Sequence, residues 1–218
     1  MRLKGGDPLL FARGGEEALA LHQQGIRCEI IPGVTAALAA AACSGIPLTH
    51  RGVSSAVAFI TGHEDPSKSL QLDWEPLARF PGTLVLYMGL KRIGSIAREL
   101  IARGKSPRTP VAFVEWAGTN RQKTATMDLQ HAQQGPPAGL ASPVLALIGP
   151  VVELRASLEW FEKRPLFGRT VLVLRPAGQA EALAVRLEEL GAQVRLAPAF
   201  SRSEEHTSEL QSHSDLVC

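Results

Sequence analysis

The stretch from Thr83 to Gly104, TLVLYMGLKRIGSIARELIARG, decides the fold class of this chain. It opens with a short, continuously apolar run that stops at a glycine, which is typical of a buried strand. The segment that follows has helical periodicity and ends at Gly104. Its apolar face holds Ile93, Ile96, Ala97, Leu100 and Ile101. A buried strand followed by an amphipathic helix indicates an α/β protein.

The same alternation of strands and helices continues upstream. VAFITGH (57–63) predicts a second buried strand that also stops at a glycine. CEIIP (28–32) predicts a strand that ends at the Pro32–Gly33 turn. TAALAAAACSG (35–45) then predicts an alanine-rich helix closed by Gly45.

Downstream, three further strands are predicted before a last amphipathic segment. The strand candidates are TPVAFVEW (109–116), RQKTATMDL (121–129) and PVLALIG (143–149). The amphipathic segment VVELRASLEWFEKR (151–164) closes this region. Together these elements predict an α/β fold whose strands run in mixed directions.

A second domain is predicted from residue 164 to about residue 200. This segment begins a fresh strand, helix and strand after a charged joint that contains a proline. Leu183, Leu187 and Leu190 mark the apolar face of the helix, and Gly191 ends it. The last residues, 201–218, have no usable periodicity, and RSEEHTSELQS matches a sequencing adapter translated in frame. We therefore interpret 201–218 as an artefactual tail and assign no chemistry to its histidines.

Composition excludes several classes of function. The 218 residues carry a net charge of only +2, with lysine and arginine scattered, which gives little support to nucleic-acid binding. No apolar run is long enough to span a bilayer, and the charged start is not a signal peptide. The three cysteines share no metal-ligand or disulfide spacing. A cytoplasmic protein is the simplest interpretation.

The opening stretch RLKGGDPLLFARGGEE (2–17) resembles a strand end followed by a glycine-rich loop. Two residues without Cβ atoms let a ligand approach the backbone. Asp7 either caps the next turn, with Pro8 at the first helical position, or directs its carboxylate at a ligand. Arg13 either forms a solvated ion pair with Glu16 and Glu17 or binds a ligand. These alternatives stay open on the residues alone.

Six motifs in a fixed order carry a resemblance that bears on the roles of Asp7 and Arg13. RLKGGDP, RGGEE, IPGVTAALAA, SGIPLTHRG, FITGHE and LVLYMG together resemble the tetrapyrrole methylase family, from Met1 to about Lys163. The resemblance implies two α/β domains that hold S-adenosylmethionine in the cleft between them, usually in a homodimer. Residues 1–31 would be the remnant of the first domain and 32–163 the second domain. The chain as given would then lack half of the cleft and be inactive.

The resemblance is to the members that methylate uroporphyrinogen III to precorrin-2, for sirohaem and cobalamin. Residues 164–200 similarly resemble the start of uroporphyrinogen-III synthase, which implies a fusion of the two enzymes. No metal is implied. Implied cofactor contacts are Gly5, Gly6, Asp7, Leu10, Thr35, Ala36, Met88 and Ala117. Implied substrate contacts are Arg13, Glu16, Arg51, His63 and Met88.

Arg13 is the implied catalytic residue. Arginine forks bind carboxylates well, and the substrate carries many of them. A role for Arg13 as the base that removes a proton is strained by its high intrinsic pKa, so anchoring is the safer role. Two rival classes remain, a nucleotide-cofactor oxidoreductase and a non-catalytic tetrapyrrole-binding module. The first would be expected to show G-x-G-x-x-G, which the sequence lacks.

Overall fold

The computed structural model describes residues 1–62 and 72–198. His63 and the tail 201–218 therefore lie outside the described residues. The chain divides into two compact units, Met1–Lys163 and Arg164–Cys218. Within 1–62 and 72–198, no helix is long and apolar enough to cross a membrane.

The first unit is built on a five-stranded sheet with the order β1-β2-β5-β3-β4. Its strands are β1 (Val57–Thr61), β2 (Thr83–Tyr87), β3 (Pro110–Glu115), β4 (Lys123–Asp128) and β5 (Val144–Ile148). The β1–β2 pair is parallel and the other pairs are antiparallel, which confirms the mixed directions. Because β5 runs antiparallel to both β2 and β3, the strands β1, β2 and β3 all point the same way. Their ends meet at one edge of the sheet, which we call the carboxyl edge (residues 61–62, 87–89 and 115–118).

Helices cover both faces of this sheet. The helices of the first unit are α1 (Gly14–Gln23), α2 (Ala36–Ser44), α3 (Trp74–Arg79), α4 (Ile93–Ala102), α5 (Leu129–Ala132) and α6 (Arg155–Leu158). The predicted apolar face of α4 is buried against one side of the sheet, beside Leu84 and Leu86. On the other side, α2 packs with Val85 and Tyr87. Strand β2 is therefore buried on both faces, which explains its continuously apolar sequence.

Two strand predictions in the first unit are wrong. Residues 2–4 and 28–32 form no strand in the described structure, and Ile30 and Ile31 are 41% and 67% exposed. A strand is stable only when a neighbour accepts its hydrogen bonds, and no described strand lies beside these segments. The segment 151–164 is not one helix, because a 3-10 turn (Pro150–Leu154) and short α6 give way to extended backbone at Glu159. At this point the chain lies against Gly45, and a Cβ added to Gly45 would be 2.4 Å from the oxygen of Leu158.

The second unit contains one strand-helix-strand element. Strands β6 (Thr170–Val173) and β7 (Gln193–Leu196) are parallel, and α7 (Ala177–Glu189) connects them. Gly191 takes a left-handed φ of 100° after the helix. The predicted helix face is only partly correct, because Leu183 is 36% exposed while Ala180 and Ala184 are buried. The small side chains of Ala180 and Ala184 let α7 approach the sheet closely, so these alanines, rather than Leu183, form the buried face of the helix.

Candidate active site

Two loops meet tightly at the carboxyl edge. The amide of Gly62, after β1, donates to the oxygen of Tyr87 at 2.7 Å. A Cβ on Gly62 would lie 2.4 Å from the Cα of Gly89, so this contact requires glycine. Met88 follows Tyr87 with a left-handed φ of 54° and is 55% exposed. The turn therefore ends β2 sharply and leaves the Met88 side chain on the surface.

The opening loop is tied to the Pro32–Gly33 turn by Asp7. One carboxylate oxygen of Asp7 accepts from the amide of Leu9 at 2.9 Å, and the other accepts from Gly33 at 3.2 Å. A Cβ on Gly33 would lie 2.2 Å from the oxygen of Gly6, so the two backbones nearly touch. The first helix begins at Gly14, not at Pro8. Asp7 thus caps a turn and fixes Gly6 against Gly33, while the expected helix at Pro8 is absent.

Arg13 and Glu16 form an exposed ion pair beside this loop. Arg13 Nη2 lies 2.7 Å from Glu16 Oε2, and Arg13 has a left-handed φ of 61°. Hydrogen bonding to Glu16 raises the pKa of Arg13 above its ordinary value. The same bond lowers the pKa of Glu16. Arg13 therefore stays protonated, which favours an anchor for carboxylates over a base.

Glu17 makes the corresponding contact with the residue before the glycines. Lys4 Nζ lies 2.8 Å from Glu17 Oε1, and the Lys4 side chain is only 13% exposed. The hydrogen bond from Lys4 is the main reason that the pKa of Glu17 is lowered. Both acidic residues in the first turn of α1 thus hold cations from the loop that precedes them. Lys4 of RLKGGDP and Glu17 of RGGEE carry opposite charges, and their ion pair holds the two motifs together.

Tyr87 is the central residue of the site, and the sequence analysis missed it. Its hydroxyl lies 2.6 Å from Thr35 Oγ1 and accepts from the amide of Ala37 at 3.1 Å. Its ring centroid lies 4.9 Å from that of Phe11 and 6.2 Å from that of Phe59. Tyr87 therefore joins the opening loop, the start of α2 and the carboxyl edge. The available signal was the single tyrosine of the chain, placed at the end of a buried strand.

These contacts bring most of the predicted cofactor residues together. A Cβ on Gly6 would lie 3.8 Å from Thr35 Cα and 3.9 Å from the Ala36 nitrogen. Leu10 and Ala117 both pack against the apolar cluster that contains Tyr87. Met88 follows Tyr87 directly, and Gly5 precedes Gly6 with open space beside it. The predicted cofactor residues thus surround one end of α2 and the adjoining part of the carboxyl edge.

Arg51 is not placed with them. It lies in the turn between His50 and Ser54, whose backbones pair. Ser54 Oγ lies 3.1 Å from Thr83 Oγ1, at the start of β2. Thr83 and Met88 are separated by roughly 16 Å of extended strand. The roles of Arg51 and of His63, which lies outside the described residues, stay predictions. In the part of the chain that the structure describes, no group of three metal-ligating side chains occurs.

The far end of α2 is held by side chains from distant segments. Trp160 Nε1 donates to the oxygen of Ala42 at 2.9 Å, and Gln122 Nε2 donates to that of Cys43 at 3.1 Å. Arg155 Nη1 donates to the oxygen of Ser44. These donors satisfy carbonyls that a helix end otherwise leaves without partners. With Tyr87 at one end and three donors at the other, α2 is fixed along its whole length.

The sequence matches the profile of the Tetrapyrrole (Corrin/Porphyrin) Methylases over residues 1–133. A uroporphyrinogen-III C-methyltransferase of Bacillus subtilis is 43% identical over 194 residues, covering 88% of this chain and 40% of that protein. Another protein of that name from B. subtilis is 45% identical over 163 residues, covering 74% and 63%. This chain thus spans less than two thirds of either relative.

A solved structure shows the same likeness in three dimensions. It is the uroporphyrin-III C-methyl transferase of Thermus thermophilus complexed with S-adenyl homocysteine, which is 42% identical with a TM-score of 0.62. The match covers 70% of this chain and 66% of that one. The matched part of this chain therefore shares the α/β architecture of that solved structure.

Proposed function

This chain belongs to the tetrapyrrole methylase family, and from that premise we propose that its first unit serves S-adenosylmethionine-dependent C-methylation of uroporphyrinogen III to precorrin-2. The observation that carries the proposal is the convergence of Gly6, Thr35, Ala36 and Met88 around Tyr87. Glycine and other small residues expose backbone amides and carbonyls, which a nucleoside and an amino acid group bind directly.

The cofactor residues would be those predicted from the sequence. Gly5, Gly6 and Asp7 would hold one side of the ligand, with Asp7 acting mainly by fixing the loop. Thr35 and Ala36 would hold the other side at the start of α2. S-adenosylmethionine supplies a methyl group already activated on a sulfonium, so no metal is needed for the transfer. The task of these residues is alignment of that methyl group with the substrate carbon.

Arg13 would bind a substrate carboxylate. Its side chain is 79% exposed and its guanidinium stays charged, so the group can form paired hydrogen bonds with a carboxylate of a bound ligand. Glu16 would keep that guanidinium oriented, and Arg51 and His63 would contact other parts of the substrate. A proton must leave the substrate after methylation, and the raised pKa of Arg13 makes this residue a poor acceptor for it. We therefore assign Arg13 to anchoring and charge stabilisation.

The cofactor residues named above all lie within the 218 residues, so cofactor binding by this chain, rather than turnover, tests the proposal. Calorimetric titration with S-adenosylhomocysteine should show binding, and NAD should show none. Arg13→Ala should leave that binding intact but weaken uroporphyrinogen III binding about tenfold, the effect of one lost charged hydrogen bond. Arg98→Ala is the matched control, because Arg98 is an exposed arginine on α4. Absence of S-adenosylhomocysteine binding by a folded chain would contradict the proposal.

The second unit is proposed to be the start of a uroporphyrinogen-III synthase domain. The synthase identity rests on the resemblance of residues 164–200, while the alignment of the 43% identical relative with 88% of this chain supports only a relationship that extends beyond the first unit. We propose the domain limits 1–31, 32–163 and 164–200, with an artefactual tail beyond. Resequencing of the genomic locus should replace the residues after Phe200 with further α/β sequence. A locus that encodes 201–218 as written would refute the tail assignment.

The protein is proposed to be a homodimer in the cytoplasm, on the strength of the family resemblance. Light scattering of the product of the resequenced gene would measure its mass. A monomer at micromolar concentration would contradict this proposal without affecting the proposed reaction.

A further inference from the structure

The buried hydroxyl groups of Tyr87 and Thr35 carry two protons, but only one hydrogen bond joins the two oxygens. Tyr87 is 8% exposed and Thr35 is 7% exposed. The Tyr87 oxygen already accepts from the amide of Ala37, and its remaining bond is to Thr35 Oγ1. Only one of the two hydroxyl protons can lie between the two oxygens. The other proton has no acceptor among residues 1–62 and 72–198.

The acidity of the two groups decides which proton is shared. A phenol is a better hydrogen-bond donor than an aliphatic alcohol, and its oxygen is the weaker acceptor. The separation of 2.6 Å lies within the ordinary range for an O–H···O hydrogen bond, so one proton is shared between the two oxygens. Tyr87 therefore donates to Thr35 Oγ1, and the proton of Thr35 is the one left over.

A buried donor without a partner is unfavourable, so the site is incomplete without an acceptor. Thr35 does not use its side chain to cap α2, although threonine at that position commonly does. Tyr87 takes over the capping bond to Ala37 and so releases Thr35. Gly6 lies beside the backbone of Thr35, where an added Cβ would be 3.8 Å from Thr35 Cα, so the opening loop adjoins this end of α2.

We infer that Tyr87 is a positioning residue that holds Thr35 as a hydrogen-bond donor to an acceptor atom of the cofactor. This inference rests on the proposed function and adds a specificity rule to it. The ligand atom that faces Thr35 is an oxygen or an unprotonated nitrogen, not an amino group.

Affinity for S-adenosylhomocysteine in four variants of the full chain tests this role. Thr35→Val should weaken binding about tenfold, since it removes the donor. Thr35→Ser keeps a hydroxyl and should therefore bind more tightly than Thr35→Val. Tyr87→Phe keeps the ring contacts but frees Thr35 to cap Ala37, and should weaken binding on the order of fivefold. Tyr87→Phe in the Thr35→Val background should cause no further loss.

The double variant separates positioning from a merely structural role. If Tyr87 only stabilised the fold of α2, Tyr87→Phe would weaken binding by the same factor in the wild type and in Thr35→Val. Equal losses in both backgrounds, or wild-type affinity in Tyr87→Phe, would overturn the inference and leave the proposed function standing. Absence of binding by the wild type would instead overturn both.

Thr83→Val is the matched control. Thr83 is a fully buried threonine whose hydroxyl pairs with that of Ser54 at the opposite end of β2. The substitution makes the same chemical change as Thr35→Val and should lower stability without altering affinity. A loss of affinity in Thr83→Val equal to that in Thr35→Val would show that the effect is general destabilisation, which would overturn the inference.

The wild type alone provides a second readout, because Tyr87 is the only tyrosine of the chain. Tyrosine labelled with carbon-13 at the hydroxyl-bearing carbon gives one resonance, which needs no assignment. In an equal mixture of light and heavy water, a phenol proton held in a buried bond exchanges slowly and splits this resonance. The splitting should persist when S-adenosylhomocysteine binds. A single averaged line would refute donation by Tyr87.

Discussion

At the scale of single residues, unfavourable backbone conformations are concentrated around the candidate site. The non-glycine residues with left-handed φ are Phe11, Arg13, Met88 and Trp116, within the part of the chain described. All four lie in the opening loop or at the carboxyl edge. Such conformations disfavour any residue with a Cβ and are commonly retained where a ligand is bound. Local backbone strain is therefore retained at the candidate site.

Met88 offers a direct test of that strain. Met88→Gly should be about 1 kcal/mol more stable than Met88→Ala, because glycine adopts a φ of 54° without a Cβ penalty. Urea unfolding monitored by circular dichroism measures the difference. Both variants lose the same exposed thioether side chain, so each should bind S-adenosylhomocysteine more weakly than the wild type. Equal stability of the two would show that the Met88 backbone is not strained.

At the scale of elements, the start of α1 depends on two adjacent glycines with different surroundings. The amide of Gly14 donates to the oxygen of Pro8 at 2.9 Å, and a Cβ on Gly14 would lie 2.2 Å from that oxygen. Gly15 has open space around it. Gly14 is therefore required for the opening loop to fold back on α1, while Gly15 is not required by any contact.

The two alanine substitutions should have opposite effects. Gly14→Ala should lower the free energy of unfolding by about 2 kcal/mol, because the added methyl group overlaps the backbone of Pro8. Gly15→Ala should raise it by roughly 0.5–1 kcal/mol, because alanine is the better helix former. Thermal and urea unfolding measure both. Equal effects of the two substitutions would contradict the close approach of the loop.

The sequence predicts an element correctly when the apolar pattern of that element alone identifies its buried face. Strand β2 and helix α4 are of this kind, since their buried faces follow from periodicity alone. The run 28–32 has an apolar pattern too, but a strand also needs a neighbour, which no local pattern reveals. Tyr87 was missed for the same reason. Its partners Thr35 and Phe11 are distant in sequence, so only the fold shows them together.

At the scale of the whole molecule, the two units differ greatly in the apolar surface that they bury. The first has clusters on both faces of a five-stranded sheet. The described part of the second has a two-stranded sheet and one helix, and its buried hydrophobic residues are Val173, Ala180, Ala184 and Ala192. Two parallel strands with one helix give little stabilisation on their own.

Amide hydrogen exchange should therefore separate the two units. Protection in β6 and β7 should be at least tenfold lower than in β2, β3 and β5, because a small apolar core opens at a lower free energy. Mass spectrometry of peptides after exchange for increasing times gives the comparison. Equal protection in both sets of strands would show that the second unit is stabilised by more than its own core.

Acid should destabilise the chain through its paired carboxylates. Hydrogen bonds from basic partners or backbone amides lower the pKa of Glu16, Glu17, Asp128 and Glu159 below their ordinary values. A lowered pKa in the folded state gives stability that is present above the ordinary values, 4.5 for Glu and 3.8 for Asp, and is lost as pH falls through the folded-state values.

The free energy of unfolding should thus vary little between about pH 5 and 8 and decline below about pH 4.5. Urea unfolding across this range measures it. These pairs are on the surface, so high salt should weaken the decline. A decline that begins near pH 6.5 would instead indicate histidine.

The anchoring of α2 has a consequence for the order in which the newly made chain acquires its structure. The side chains that bind its last carbonyls, those of Gln122, Arg155 and Trp160, lie 79 to 118 positions further along the chain. A ribosome therefore delivers α2 long before it delivers the partners that hold it. A nine-residue helix is marginal by itself, so α2 remains an exposed alanine-rich segment until residue 160 has emerged. A pause in translation between residues 45 and 160 would prolong the period in which this segment is open to proteases and chaperones.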